Sequence, residues 1–161
     1  MKNIKFIVDS MLGKLARWLR ILGYDTCYNP VISDEDILAK ALSERRILVT
    51  RDRELAIRAE KIGIECFLAG TTDISDILSE LSRRYSIRLE IDFNSTRCPK
   101  CNTKLALANK SEISRCCPEY ILKKYDIFLI CRKCNSIYWP GRHFKNIVKT
   151  LEEARRKSIL S

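Results

Sequence analysis

Apolar positions along the first ninety residues alternate between two spacings. Residues 2–9 form a short run in which Ile4, Phe6, Ile7 and Val8 are β-branched or aromatic, which predicts a buried strand. Residues 11–22 change to helical spacing, with Leu12, Leu15, Ala16, Leu19 and Leu22 on one face and Gly23 as the stop. Ser33 is a good N-cap for the next helix, with an acid three residues on, and Ile37, Leu38, Ala41 and Leu42 supply its apolar stripe. Residues 47–50 predict a strand, 53–62 a helix closed by Gly63, 64–69 a strand and 73–84 a helix.

Strands and helices joined by short connections predict an α/β fold, a small Rossmann-like parallel sheet with helices on both faces. Neither G-x-G-x-x-G nor a P-loop pattern occurs, so nothing signals a dinucleotide or a nucleoside triphosphate. The period breaks near Asp92. Residues 93–142 carry two C-x-x-C pairs with Pro, Asn and Ser punctuation, and residues 144–160 return to helical spacing on Phe144, Ile147, Val148 and Leu151. The expected organisation is a sheet domain over 1–92 and, over 93–161, a cysteine-rich module with a basic C-terminal helix packed on the sheet domain.

Cys98-Pro-Lys-Cys101 and Cys131-Arg-Lys-Cys134 suit one structural zinc ion: two C-x-x-C turns on hairpin tips present four thiolates tetrahedrally, as in a zinc ribbon. A module this small and polar needs such a staple. A redox pair is the weaker reading, since redox chemistry does not require two copies. Cys27 and Cys66 fit as buried small hydrophobes, and neighbouring Cys116 and Cys117 as non-ligands. No apolar run approaches the roughly 18 residues of a membrane span, and the N-terminus lacks the apolar core of a signal peptide. The expectation is a cytoplasmic protein without membrane contact, where reduced cysteines are the rule.

Charge sharpens the division. The formal net charge is +10; residues 1–92 hold 15 Lys and Arg against 15 Asp and Glu, and residues 93–161 hold 15 against 5. A field concentrated in one segment favours a polyanion such as nucleic acid. The acids of the neutral half matter by position. Asp9 leaves the first strand, Asp52 leaves the strand over 47–50, and Asp34 opens the preceding helix. In a parallel sheet such positions converge on one crevice, where gathered carboxylates would take a hydrated Mg²⁺ or Mn²⁺ able to activate water against a phosphodiester. Each of Asp34 and Asp52 also reads as a helix-start acid favouring the macrodipole. Asp36 and Asp73 are further candidate ligands.

Asp9, the stretch LARWLRILGYD, Ser33-Asp34-Glu35-Asp36-Ile37-Leu38 and Ile47-Leu48-Val49-Thr50-Arg51-Asp52 together resemble a PIN-like nuclease domain. With CPKC, CRKC and Tyr138-Trp139-Pro140-Gly141-Arg142-His143 after them, nearly the whole chain is similar to the Mut-7-C ribonuclease domain family. The resemblance implies a PIN-fold core with a C-terminal zinc ribbon and metal-dependent RNA cleavage, with Asp9, Asp34 and Asp52 as the acidic cluster. It supplies no unambiguous fourth acid. Lys14, Arg17 and Arg20 on the first helix, Arg51 beside Asp52, and His143 are the candidate RNA contacts; Arg132, Lys133, Arg142 and Lys145 are candidate sources of nonspecific affinity. The expected partner is RNA, with rRNA and tRNA as candidates. A non-catalytic RNA-binding or ribosome-associated protein is the alternative.

Overall fold

The computed structural model describes residues 3–160. Met1, Lys2 and Ser161, which the predicted strand and segment boundaries include, lie outside the described residues. Four parallel strands form the first sheet: β1 (Lys5–Val8), β2 (Asp25–Cys27), β3 (Ile47–Thr50) and β4 (Cys66–Leu68), in the order β2-β1-β3-β4. Between them run α1 (Gly13–Ile21), α2 (Asp34–Glu44) and α3 (Arg53–Lys61), with α4 (Ile74–Tyr85) after β4. The expected fold class therefore holds, and β3 stands where the sequence predicts it.

The alternation of β1 explains why both faces are covered. Phe6 and Val8 point into a core shared with Leu15 and Leu19 of α1 and Ile77, Leu78 and Leu81 of α4. Ile7 points the other way, into a core with Ile37, Ala41, Leu55 and Ala59 of α2 and α3. Two local departures affect the site. The first helix opens with a 3₁₀ turn over Ser10–Leu12, capped by Asp9. β2 was not predicted: Asp25, Thr26 and Cys27 lack an apolar run. It is an edge strand, and a polar strand suits an edge.

The second segment holds a three-stranded antiparallel sheet, β5 (Ala106–Ala108), β6 (Phe128–Ile130) and β7 (Ile137–Tyr138). Two short helices unmarked by the sequence pattern, α5 (Lys110–Ile113) and α6 (Glu119–Lys124), fill the connection from β5 to β6. Ile113, Cys117 and Ile121 close over Phe128 and give this module its own small core. Cys117 is thus a packing residue. The final helix, α7 (Arg142–Ile159), begins two residues before the predicted start. Its Leu151 and Ala154 enter the core of the first sheet beside α4, so the segment is packed on the sheet body and does not hang free.

Candidate active site and metal centre

The chain leaves β1 and β3 on opposite sides of the point where the strand order reverses. The connection from β1 leads to β2 on one side, and the connection from β2 leads back past β1 to β3. Ligands of open α/β sheets bind in the crevice at such a point, beyond the carboxyl ends of the strands. Asp9 and Asp52 stand there. Asp9 is 5% exposed. Its Oδ2 accepts from the Thr50 hydroxyl at 2.7 Å, and its Oδ1 accepts from the Ser10 N–H at 2.6 Å. The fully buried Thr50 hydroxyl also accepts from the Asp52 N–H at 2.9 Å. One side chain thereby ties both acidic corners together. Across the entrance to α1, the Tyr28 hydroxyl donates to the Ser10 carbonyl at 2.9 Å. A Cβ on Gly13 would lie 2.5 Å from that hydroxyl oxygen, so glycine is what lets the ring lie there.

The three aspartates are not drawn together to the same degree. Asp52 Oδ1 caps α3 through the N–H groups of Glu54 and Leu55 at 2.8 and 3.2 Å. Asp34, at the start of α2, pairs with Arg58 at 3.3 Å, and Glu35 takes the other arm of that guanidinium at 2.9 Å. Among the described residues the three aspartates do not form a group whose ligand oxygens all lie within 4.8 Å of one another. Asp36 accepts from Ser33, and Asp73 caps α4, so both additional candidates have local partners.

The basic candidates separate along α1. Lys14 and Arg17 are exposed. Arg20 is 6% exposed and is corrected from an RNA contact to an internal one. Its Nε donates to the Thr26 carbonyl at 3.0 Å, and its Nη1 to the carbonyls of Pro99 and Lys100 at 3.0 and 3.3 Å. Helical spacing placed it one turn beyond Arg17 but could not show that the cysteine module closes over it. It also lies in the last turn of α1, whereas Asp9 precedes the first, so roughly 13 Å of helix separates them. Arg51 and His143 are exposed. Arg132 is engaged by Glu112.

The four cysteines predicted as ligands do converge. Their sulfurs all lie within 4.8 Å of one another, with Cys101 3.4 Å from Cys131 and Cys98 3.6 Å from Cys134. Four sulfurs at about 2.3 Å from one tetrahedral ion would lie roughly 3.8 Å apart, so the set fits zinc in both donor chemistry and size. The two arms are built alike. In CPKCNT the Asn102 N–H donates to the Cys98 carbonyl and the Cys98 N–H to that of Thr103; in CRKCNS the Asn135 N–H donates to Cys131 and the Cys131 N–H to Ser136. Asn102 and Asn135 both take left-handed backbone, at φ 67° and 58°, a region asparagine tolerates better than most residues. Cys134, beside the Ser136 hydroxyl and N–H, is lowered to about 6, whereas burial raises Cys131 to about 11. The Tyr138 hydroxyl lies 3.2 Å from the Cys98 sulfur, a second contact around the set.

A partly buried polar chain joins this centre to the open edge of β2. Asn102 donates to Asp25 at 2.9 Å and accepts from the Thr26 N–H at 3.1 Å. Arg46, largely buried, donates to Asp25 at 2.8 Å, to the Phe6 carbonyl at 3.1 Å and to Glu44 at 2.6 Å. The first knuckle therefore covers an edge that would otherwise offer unpaired backbone. The asparagine directly after each C-x-x-C marks the left-handed knuckle turn, and only Asn102 of the two also reaches β2.

The Mut7-C RNAse domain model matches residues 4–151, which takes in both sheets and most of α7. The chain belongs to this family. Searches among curated proteins and among solved structures gave no match. Membership in the Mut7-C RNAse domain family points to a nuclease-type function, and the four-cysteine cluster adds a fitting zinc site. Among the described residues, no helix is long and apolar enough to cross a membrane.

Proposed function

We propose that this Mut7-C domain is a metal-dependent ribonuclease that hydrolyses RNA phosphodiesters in the crevice between the ends of β1 and β3. One arrangement carries the reading: in a nuclease family, Asp9 and Asp52 are joined through the Thr50 hydroxyl at the switch point of a parallel sheet. Asp9 and Asp52, joined by Asp34 once it leaves its Arg58 pair, would hold Mg²⁺ or Mn²⁺, which take oxygen ligands and keep several waters. When bound there, such an ion would supply a water of lowered pKa and would offset charge on the phosphate. Ser10 and Thr50 keep the Asp9 carboxylate oriented, and Tyr28 steadies the Ser10 backbone. Lys14, Arg17 and Arg51 would neutralise phosphates at this edge, and the basic second segment adds nonspecific affinity that falls with salt. Zn²⁺ on the four cysteines is structural, because four sulfurs leave no open coordination position. The setting is the cytoplasm, where the thiols stay reduced, and rRNA and tRNA are the substrates to try first.

A second reading, an RNA-binding protein without turnover, is favoured by the Asp34–Arg58 pair and by the spread of the three aspartates. The test is RNA cleavage with Mg²⁺ or Mn²⁺ by wild type, Asp9→Asn and Asp52→Asn. Loss of cleavage with retained binding is the expected result. Equal cleavage by all three proteins removes these aspartates from the mechanism. Binding without metal-dependent cleavage by wild type supports the second reading.

A further inference from the structure

Where the sheet body, the ribbon and the first turns of α7 meet, a cavity of about 140 Å³ opens to the surface. Its lining is almost wholly apolar and contains neither Asp nor Glu. Phe93, Trp139, His143 and Phe144 form its aromatic side, with Ile127 beside them. The rings of Phe93 and Phe144 lie 5.8 Å apart, and Trp139 meets Phe128 at 6.5 Å. A Cβ on Gly141 would come within 3.1 Å of the Trp139 Nε1, so the indole is held closely from the helix side as well. Despite this support Trp139 remains 36% exposed, Ile127 40% exposed, and His143 is exposed. A preformed apolar slot with a few polar edges is the usual form of a small-ligand site.

Charge identifies the occupant. The acids of the ribbon are spent on local pairs, Glu112 with Arg132, Glu119 with Lys123 and Asp126 with Lys110. Arg142 and Lys145 flank His143 and Phe144 on α7, are exposed, and make no ion pair among the described residues. The slot thus wants a flat group with an apolar face, and its surroundings want negative charge on the chain that carries it. An unpaired nucleobase meets both demands, because it offers a π face and is flanked by phosphates. An apolar protein segment meets only the first.

We propose that this groove is a nucleobase subsite, taking one unpaired base of a single-stranded RNA against Trp139 and His143 with the neighbouring phosphates toward Arg142 and Lys145. The proposal rests on the reading of the chain as an RNA enzyme and adds to it. Ile21, at the far end of α1 from Asp9, lines the groove, so the base held here belongs to a nucleotide remote from the cleaved bond.

The test is fluorescence anisotropy with the full zinc-loaded chain, without added Mg²⁺ or Mn²⁺, on a labelled oligouridylate and on an abasic strand of equal length. Trp139→Ala is expected to weaken oligouridylate binding by about 5- to 160-fold, the range for loss of one base stack. It should leave abasic affinity and the salt slope unchanged, and Trp139→Phe should keep most of the affinity. Arg142→Gln should lower the salt slope by about 0.7 on both strands. Should Trp139→Ala melt early by circular dichroism, His143→Ala decides in its place. Wild-type affinity in the alanine variant, or equal loss on both strands, overturns the proposal. So does a wild-type dimer, seen by light scattering, that Trp139→Ala dissociates, since a second copy would then fill the groove. Cleavage by wild type with binding insensitive to Trp139 overturns the groove alone; no binding of oligouridylate by wild type overturns the groove and the RNA reading together.

Discussion

The Thr50 hydroxyl donates to Asp9 Oδ2 at 2.7 Å, buried at the carboxyl end of the sheet. A carboxylate this enclosed needs such a donor, and the hydroxyl has a second duty in accepting from the Asp52 N–H. Thr50→Val keeps the β-branched shape and removes both interactions. It is expected to cost about 1–3 kcal/mol, the penalty for a buried polar group left without its partner. RNA cleavage should fall by more than the folded fraction accounts for, while Thr50→Ser should retain most of both. A urea titration beside a cleavage assay measures the two effects; unchanged cleavage in a folded Thr50→Val protein would detach Thr50 from the site.

Arg20 gives a prediction opposite to the one its sequence position suggests. Its guanidinium bridges β2 to the first cysteine knuckle through three carbonyls. Arg20→Met should therefore lower stability by about 2–3 kcal/mol, in the range for hydrogen bonds to charged groups. The salt slope of RNA binding should stay as in wild type, because no phosphate contact is lost. A reduced slope with unchanged stability would instead return Arg20 to the RNA surface.

The same residue illustrates what the sequence made legible. Periodicity identifies β1, β3 and the four long helices of the sheet body because each carries a strong apolar face. The ligand cysteines are legible because spacing alone encodes the knuckles. β2 is hidden because it has no apolar run: Asp25 and Thr26 are polar and are satisfied by Asn102 and Arg20 from other parts of the chain. Short α5 and α6 are hidden because four and six residues cannot show a helical stripe. The acids at the strand ends are legible from topology, but the turn of Asp34 toward Arg58 depends on a side-chain choice between α2 and α3.

Asp25 makes stability depend on acid. Burial works to raise its pKa, yet hydrogen bonds from Arg46 and Asn102 prevail and hold it below the ordinary carboxylate value. A carboxylate depressed in the folded state stabilises above its unfolded pKa of about 3.9, and that contribution disappears as pH falls through the folded value. Stability should thus be insensitive to this group from pH 7 to about pH 5 and drop below about pH 4. Asp25→Asn should be less stable at pH 7 but lose less on acidification. Urea midpoints for both proteins from pH 7 to pH 3 check this; parallel curves would show that Asp25 does not contribute to acid unfolding.

Removal of zinc should act unequally on the two knuckles. Cys98–Cys101 is tied to the sheet body through Arg20, Asn102 and the Thr96 hydroxyl, which donates to the Ile21 carbonyl at 2.7 Å. Cys131–Cys134 sits on exposed turn residues and is held from one side by the small core around Phe128. α7 has an anchor independent of the metal: Leu151 and Ala154 are buried against the sheet body, and Lys157 pairs with Asp76 at 2.7 Å. Chelation should therefore release the ribbon strands and α5–α6 while the parallel sheet and α7 stay folded. In hydrogen exchange, amides of Phe128, Leu129 and Cys131 should lose protection, and those of Ile7, Val49 and Leu151 should keep it. Cys134→Ser should reproduce the chelated pattern. Loss of protection throughout the chain on chelation would mean that the sheet body depends on the metal, and the two-anchor account of α7 would fail.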